Sequence, residues 1–287
     1  MKKFKIKSYS KVNLYLKVLK KLSNGYHSIS SLITFCEPYD IISISINEDS
    51  KDHISFSGKF KKKIDKKFNT ITKLLYLLRK KNLLKKTFFK INIHKKIPHG
   101  SGLGGGSANA ASLLKFLRKK KYLKISKNKI NKIASKIGFD VPISLEKKNT
   151  FLTGKHNEII RLSKKLKLNI LIVYPNIICS TKKIYKNKSQ FKSKKLRVLD
   201  FRKNKHHIIE FLKKERNDLE DVAIKFYPKI KKIIDLIKNQ DGCYFSRITG
   251  SGAACFGIFS NMKTAISTKK LIHTKFPNYW CVVSKTI

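Results

Sequence analysis

The chain has 287 residues, and its 66 lysines and arginines against 17 aspartates and glutamates give a formal net charge of +49. Hydrophobic residues make up 41% and aromatic residues 10%, enough to bury a core, so the composition excludes a disordered polycation and predicts one large or two modest domains. No apolar run approaches the roughly 18 residues that a membrane helix needs, and the N-terminal segment lacks the apolar core of a signal peptide. We therefore expect a cytoplasmic protein that does not bind a membrane.

The cysteines exclude two further classes of protein. They are odd in number, lie far apart and form no C-x-x-C pair, which fits neither a disulfide framework nor a zinc site. We expect them to be small core residues. The five positions are Cys36, Cys179, Cys243, Cys255 and Cys281.

The basic charge first suggests nucleic acid as a partner, because clustered lysines and arginines neutralise phosphates. Only seven of the basic residues are arginines, however, and arginine is the residue that contacts bases and phosphates bidentately. The lysines are spread over nearly every segment, as a compositional bias of the coding DNA would leave them, so nucleic acid is not expected as the main partner. One local feature stands out: residues 66–139 contain 21 lysines and arginines and no acidic residue, a favourable field for a bound anion.

The first half of the chain alternates strand and helix patterns. Alternating apolar residues predict strands at 12–18, 41–46 and 88–93. Helical spacing behind an asparagine cap predicts a helix over 69–81. A second helix is predicted over 126–137, ending at a glycine.

The second half shows the same mixture. A strand is predicted at 169–175, and the lysine-, serine- and asparagine-rich stretch from Thr181 to Lys205 predicts a long surface loop. One or two helices around Pro228 follow, then two strands around a glycine-rich turn at 243–259. A final helix and strand, over 262–284, complete the pattern.

Both halves therefore mix the two kinds of element, and the predicted fold class is α+β. We predict two domains, residues 1–165 and residues 166–287.

The strongest chemical signal is a glycine loop between the predicted strand at 88–93 and a periodic helix that begins near Ser107. Five of its seven central residues are glycine. Without side chains, backbone N–H groups can close around an anion, and the following helix directs its positive end to the same place. The loop therefore predicts phosphate binding. The glycines are Gly100, Gly102, Gly104, Gly105 and Gly106.

Two familiar phosphate loops do not match. Gly100, Gly102 and Gly105 satisfy G-x-G-x-x-G, but no acidic residue follows about 20 positions later to bind a ribose. The pattern G-x-x-x-x-G-K-[ST] fails as well, because Gly106 stands where its lysine must be. The sequence therefore disfavours both a dinucleotide-binding domain and a P-loop nucleoside triphosphatase.

Residues 98–111, PHGSGLGGGSANAA, instead resemble the phosphate loop of the GHMP kinase superfamily, whose members phosphorylate galactose, homoserine, mevalonate and related alcohols. Three further segments resemble the branch of that superfamily that acts on 4-diphosphocytidyl-2-C-methyl-D-erythritol: SYSKVNLYLKVLKKLSNGYHSI at 8–29, IGFDVPISL at 137–145 and ITGSGAACFGIF at 248–259. The segment ERNDLEDVA, from Glu215, is also similar to that branch, and Asp218 in it is expected to cap a helix.

The resemblance implies a two-domain GHMP kinase fold, with a ribosomal-protein-like, ATP-binding N-terminal domain and a ferredoxin-like C-terminal domain on the substrate side. It implies transfer of a phosphoryl group from ATP to the 2-hydroxyl of 4-diphosphocytidyl-2-C-methyl-D-erythritol, in non-mevalonate isoprenoid precursor biosynthesis. Mg²⁺ is expected with ATP, although no acidic cluster identifies a protein ligand for it. A monomer or weak homodimer is expected.

The resemblance also assigns the ATP-binding residues, which form one continuous segment. They are Pro98, His99, Gly100, Ser101, Gly102, Leu103, Gly104, Gly105, Gly106, Ser107 and Ala108.

Two residues take catalytic roles by resemblance. Asp140 is the one carboxylate between residues 66 and 145, and it would accept the proton of the substrate hydroxyl, although a solvated surface aspartate is the alternative. Lys11 would keep Asp140 ionised and stabilise charge on the transferring phosphoryl group, although it is one lysine among 59.

The substrate-binding residues follow from the same motifs. Tyr26 and Tyr185 would stack on the cytosine ring, with His27 as a hydrogen-bonding partner; an exposed hairpin aromatic and a surface histidine are the alternative. Asn13 would position the substrate and Thr181 would supply a hydroxyl contact. The turn that contains Gly250 and Ser251 would help to close the site.

Two other functions stay open at this point. Another GHMP alcohol kinase, of the homoserine or mevalonate type, would share the loop but not the N-G-Y-H segment. A basic RNA-binding protein would explain the charge but leave the glycine loop without a task.

Overall fold

The computed structural model describes residues 3–23, 25–62, 64–84, 86–153, 158–163, 165–193 and 204–287. The chain divides into two compact units that are interleaved along the sequence. Unit 1 contains the residues up to Ser10, Pro38–His99 and Gly104–Lys147. Unit 2 contains Lys11–Glu37, Gly100–Leu103 and Lys148–Ile287. The domain boundary between residues 165 and 166 stays a prediction.

Unit 1 packs helices on a sheet. Two long strands, β1 (Phe4–Lys21) and β2 (His27–Asn47), pair with each other and contribute residues to both units. In unit 1, β2 pairs antiparallel with β4 (Phe88–His94), which pairs parallel with β3 (His53–Ser57). Its helices are α1 (Thr70–Lys80), α2 (Gly105–Lys119), α3 (Lys127–Ile137) and the short α4 (Asp140–Ser144).

The core of unit 1 follows from the two periodicities of its elements. Alternate residues of β2 and β4 point to one face, and the apolar stripes of α1, α2 and α3 cover that face. Asn69 caps α1 by accepting hydrogen bonds from the N–H groups of Ile71 and Thr72, and Ser126 caps α3. The core includes Ile42, Ile44, Ile91, Ile93, Leu74, Leu114 and Ile133.

Unit 2 contains a separate antiparallel sheet in the order β10-β7-β9-β8. These strands are β7 (Asn169–Tyr174), β8 (Cys243–Ile248), β9 (Cys255–Phe259) and β10 (Trp280–Lys285). Two further strands, β5 (Thr150–Thr153) and β6 (Ile159–Arg161), pair with each other, and β5 also pairs with β2. The helices are α5 (Thr181–Lys186), α6 (Lys205–Lys214), α7 (Glu220–Phe226), α8 (Lys229–Lys238) and α9 (Met262–Lys275).

Most predicted elements are confirmed, and the two predicted end points, Asn69 and Gly138, are the N-cap of α1 and the C-cap of α3. The surface loop predicted from Thr181 to Lys205 is wrong at its start, because α5 occupies Thr181–Lys186. Ser180 caps this helix, and Ile184 is its one buried residue. A single buried residue produces no apolar periodicity in the sequence, so the helix could not be recognised from its pattern. Residues 194–203 of that stretch lie outside the described residues.

The expected cap at Asp218 is also wrong. The N-cap of α7 is Leu219, which makes no side-chain hydrogen bond. The Asp218 carboxylate is buried and accepts hydrogen bonds from the Val18 N–H at 2.9 Å and from the Arg216 side chain at 3.1 Å. The Asp218 carboxylate therefore accepts its hydrogen bond from β1, a distant part of the chain, instead of from the first turn of α7.

The five cysteines are free thiols. Cys36, Cys179 and Cys255 are buried, as expected, whereas Cys243 and Cys281 are only partly so. Burial raises the pKa of Cys179 to about 12, so this thiol stays protonated at neutral pH. Within the described ranges, no helix has both the length and the apolar character that crossing a membrane requires.

Candidate active site

The glycine loop joins β4 to α2, and its shape depends on left-handed backbone. Gly100, Gly102 and Gly104 have φ angles of +65°, +80° and +69°, a region that other residues enter at a cost. Gly104 is the N-cap of α2, and its carbonyl accepts the first intrahelical bond from the Ala108 N–H at 2.9 Å. The N–H groups before Ala108 have no acceptor within the helix. No side chain caps this helix end, which suits an anion.

The central residues of the loop are held within unit 2. The Lys11 N–H donates to the Leu103 carbonyl at 3.0 Å, and the Ala254 N–H donates to the Ser101 carbonyl at 3.1 Å. A Cβ atom on Gly102 would overlap the carbonyl of Thr249. The loop is thus fixed by β1 on one side and by the turn between β8 and β9 on the other.

The remaining predicted ATP-binding residues flank this loop. Pro98 is buried, Ala108 is buried in the first turn of α2, and Ser107 is half-buried beside it. Desolvation, and then the charge of Lys95, lowers the pKa of His99, so its imidazole is neutral at pH 7. A Cβ atom on Gly105 would meet the side chains of Ile97 and Lys95 inside unit 1, so this glycine also allows the close packing of α2.

Asp140 is the first residue of α4 in unit 1. It is half-buried, and its carbonyl accepts a hydrogen bond from the Ser144 hydroxyl at 2.8 Å. The next residues, Val141 and Pro142, are buried, and α4 packs against α2. The acidic side chain therefore has solvent access and belongs to an element that contacts the helix of the phosphate loop.

Lys11 and Asn13 lie on one face of β1 in unit 2, and both are buried, with 4% and 2% of their surface exposed. The Lys11 ammonium donates to the Asn13 Oδ1 at 2.6 Å, and the Asn13 Nδ2 donates to the Ser31 hydroxyl at 2.9 Å. The Asn13 N–H donates to the Thr249 hydroxyl at 3.0 Å. A buried lysine is rare in proteins, so burial separates Lys11 from the surface lysines.

The predicted cytosine-binding residues include a close aromatic pair. The rings of His27 and Tyr185 have centroids 5.0 Å apart and planes inclined by 36°. Phe191, which sequence reasoning missed, lies 5.8 Å from the His27 ring. Desolvation, and then the charge of Lys21, lowers the pKa of His27, so the imidazole is neutral at pH 7. Tyr26 is 54% exposed, a surface that a stacked base can cover.

Three other predicted substrate-binding residues meet at the turn between β8 and β9. The hydroxyls of Thr181 and Ser251 are 2.9 Å apart. Gly250 has a φ angle of +58°, and its carbonyl accepts a hydrogen bond from the Asn217 Nδ2 at 2.8 Å. Sequence reasoning missed Asn217, which lies in the segment ERNDLEDVA. Its side chain fixes the backbone of the turn.

In unit 2 the structure thus joins Lys11 to Asn13, His27 to Tyr185 and Thr181 to Ser251. Unit 1 holds Asp140 and the loop from Gly104 onward. Across the parts of the chain that are described, no group of three or more histidine, cysteine, aspartate or glutamate side chains could hold a metal ion.

Comparison with family models identifies both parts of the chain. Residues 69–148 match the GHMP kinases N terminal domain, and residues 201–269 match the GHMP kinases C terminal model. The 4-diphosphocytidyl-2-C-methyl-D-erythritol kinase of Pelagibacter ubique is 40% identical to this chain over the full length of both. The enzyme of the same name from Wolbachia pipientis wMel is 33% identical over 98% of this chain and 97% of its own.

Solved structures share the fold. A crystal structure of 4-(cytidine 5'-diphospho)-2C-methyl-D-erythritol kinase has a TM-score of 0.78 at 20% identity and covers 98% of this chain and 99% of its own. A homoserine kinase from Cytophaga hutchinsonii has a TM-score of 0.74 at 14% identity and covers 100% of this chain and 95% of its own. These likenesses confirm the predicted two-domain α+β fold.

The packing of the loop generates a stability prediction at Gly102. Gly102→Ala should destabilise the protein, because alanine at a φ of +80° is strained and its Cβ would overlap the Thr249 carbonyl. Gly25 is a matched control, since its φ is +79° and nothing lies within 4 Å of its Cβ position. Gly25→Ala should cost only the backbone term of about 1 to 2 kcal/mol. Urea denaturation measures both, and equal losses would contradict the tight packing of the loop.

Proposed function

Because this chain belongs to the 4-diphosphocytidyl-2-C-methyl-D-erythritol kinase family of GHMP kinases, we propose that it transfers the γ-phosphoryl group of ATP to the 2-hydroxyl of that substrate. The observation that carries the proposal is 40% identity over the full length of the relative from Pelagibacter ubique. This activity belongs to non-mevalonate isoprenoid precursor biosynthesis. Location in the cytoplasm and a monomeric or weakly dimeric state stay predictions.

The glycine loop is the proposed site for the phosphates of ATP. The glycines with left-handed backbone angles leave no side chain in front of α2, and the N–H groups of its first turn, which lack acceptors within the helix, favour a bound anion. The neutral His99 adds no charge of its own. Mg²⁺ would neutralise the ATP oxygens, and since the described residues provide no carboxylate cluster, phosphate oxygens and water are its proposed main ligands.

Asp140 is the proposed general base. A half-buried carboxylate at the start of α4 can accept a proton from an alcohol, and residues 66–139 contain no other acidic group. Lys11 is proposed to stabilise the negative charge that develops during transfer. The buried bond to Asn13 fixes the ammonium group, so little side-chain freedom is lost when it acts.

Tyr26, His27 and Tyr185 are proposed to bind the cytosine ring. A neutral His27 imidazole can both donate and accept a hydrogen bond, as recognition of a base edge requires. Tyr26 and Tyr185 supply stacking surface. Asn13, Thr181, Gly250 and Ser251 are proposed to position the rest of the substrate.

The two alternative functions are not favoured. The homoserine kinase shares only the fold with this chain, at 14% identity, whereas the relatives at 30–40% identity over nearly the full chain are named 4-diphosphocytidyl-2-C-methyl-D-erythritol kinase. Both family models that match this chain are GHMP kinase models, which an RNA-binding function would leave unexplained. A coupled ADP-release assay with cytidylyl-methylerythritol, homoserine, mevalonate and galactose in parallel tests the proposal: turnover is expected with the first alone, and faster turnover of another alcohol would overturn it.

The role of Asp140 generates a kinetic prediction. Asp140→Asn keeps the size of the side chain but cannot take up a proton at neutral pH, so kcat should fall about 10²- to 10⁴-fold with both KM values nearly unchanged. Lys11→Met should reduce kcat similarly through the loss of charge stabilisation. Steady-state kinetics on folded variants measure both effects.

Asp221→Asn is the matched control, because Asp221 is an exposed aspartate in the first turn of α7. It should leave kcat unchanged. A folded Asp140→Asn enzyme with the kcat of the control would show that another group, or none, accepts the proton.

The cytosine contact generates a second kinetic prediction. Tyr185→Ala should raise KM for the cytidylyl substrate by the loss of about 1 to 3 kcal/mol of stacking, with little change in KM for ATP. Tyr26→Ala should behave in the same way. Tyr76→Ala, at a tyrosine of α1 that is 66% exposed, is the control and should change neither constant. If both site variants keep the wild-type KM, the substrate assignment fails even though kinase activity stands.

A further inference from the structure

Asp40 has an unusual set of partners for a carboxylate. It lies in β2 within unit 1 and has no exposed surface. One of its oxygens accepts hydrogen bonds from the backbone N–H groups of Lys96 at 2.7 Å and Ile97 at 2.9 Å. The other oxygen accepts a hydrogen bond from the Asn109 Nδ2 at 3.1 Å and one from the Lys95 ammonium. One buried carboxylate therefore receives four donors.

These donors lie on both flanks of the glycine loop. Lys96 and Ile97 directly precede Pro98, where the loop begins, and Asn109 lies in the second turn of α2, just beyond its end. The Asp40 carboxylate is thus a bridge between the chain that enters the loop and the helix that leaves it. A bridge of this kind fixes the distance between the two flanks, and with it the width of the loop.

Lys95 extends the bridge to the first residue of α2. It is 3% exposed, and its ammonium nitrogen lies 3.3 Å from the position that a Cβ atom would take on Gly105. The ammonium group therefore lies against the helix end that the glycine loop leaves uncapped. The carboxylate holds it there through a charge-assisted hydrogen bond.

Stability alone does not explain such a cluster. A buried ion pair is often no better for folding than apolar residues of similar volume, because desolvation offsets the attraction. Charge-assisted bonds do provide fixed geometry, and a loop that binds phosphate through backbone N–H groups needs fixed geometry. The hydrogen bonds between Asp40 and its four donors are therefore expected to fix the shape of the loop.

We propose that Asp40 is a positioning residue for the phosphates of ATP, which acts by clamping the two flanks of the glycine loop. This inference rests on the proposed function, since it takes the loop to be the ATP site. Asp40 does not itself touch the nucleotide in this proposal. It acts through Lys95, the backbone of Lys96 and Ile97, and Asn109.

The test measures ADP affinity by calorimetry in the full chain, together with KM for the cytidylyl substrate and the melting temperature. Asp40→Asn should weaken ADP binding about tenfold, because a loop with loosened flanks should lose the equivalent of one backbone hydrogen bond to a charged phosphate oxygen. KM for the cytidylyl substrate should stay at the wild-type value. A purely structural role would not separate the two ligands.

Asp52→Asn is the matched control. Asp52 is also a mostly buried carboxylate of unit 1. It forms an ion pair with Arg79 at 2.9 Å and accepts a hydrogen bond from the Phe89 N–H at 2.9 Å, and neither partner belongs to the loop. Its replacement should lower the melting temperature and leave ADP affinity unchanged. Equal losses of ADP affinity in the two variants, or wild-type ADP affinity in Asp40→Asn, would overturn the inference.

A double variant, Asp40→Asn with Lys95→Met, covers the case in which Asp40→Asn does not fold. It removes the buried charge that the single variant leaves unpaired, so it should recover stability while ADP binding stays weak. Wild-type ADP affinity in the double variant would refute the clamp. If the wild-type chain binds ADP and phosphorylates the cytidylyl substrate, the proposed function stands whatever these variants show.

Discussion

The start of a helix attracts phosphate only if backbone N–H groups are uncovered there and the preceding chain is held in one conformation. In this protein the first condition requires glycine, because Gly100, Gly102 and Gly104 adopt left-handed backbone angles and Gly104 leaves the end of α2 without a side-chain cap. The second condition is met by contacts to the loop from ordered elements. The loop is rich in glycine and yet has a fixed shape, because hydrogen bonds and close packing restrict the backbone conformations that glycine could otherwise adopt.

Two kinds of contact impose that shape. Within unit 2, Ser101 and Leu103 use their carbonyls as acceptors for backbone N–H groups of Ala254 and Lys11. Within unit 1, the buried carboxylate of Asp40 binds both flanks of the same loop. Lys11 therefore contributes in two separate ways to the proposed enzyme, since its backbone N–H supports the loop and its ammonium group, held by Asn13, is proposed to stabilise charge during transfer. A substitution of the Lys11 side chain can test the second task without removing the first.

The sequence predicts local features well where one residue type has one physical use. Asn69 is a helix cap and the glycine loop joins a strand to a helix, as their patterns indicate. Prediction fails where a tertiary partner competes with a local one: Asp218 binds the Val18 N–H instead of capping α7. Phe191 and Asp40 carry no local pattern at all. Their importance comes from partners distant in the chain, His27 for the first and Asn109 for the second.

The structure distinguishes individual lysines that the composition cannot distinguish, because it shows which of them are buried. With 59 lysines, composition distinguishes no single position, and only the family resemblance points to Lys11. Burial separates Lys11 and Lys95 from the surface lysines, because a buried ammonium group must be paired or hydrogen-bonded to be tolerated. Each has such a partner, Asn13 for Lys11 and Asp40 for Lys95. A lysine bias in the coding DNA would fill exposed positions but would not supply such partners, so burial with a matched acceptor supports the roles proposed for Lys11 and Lys95.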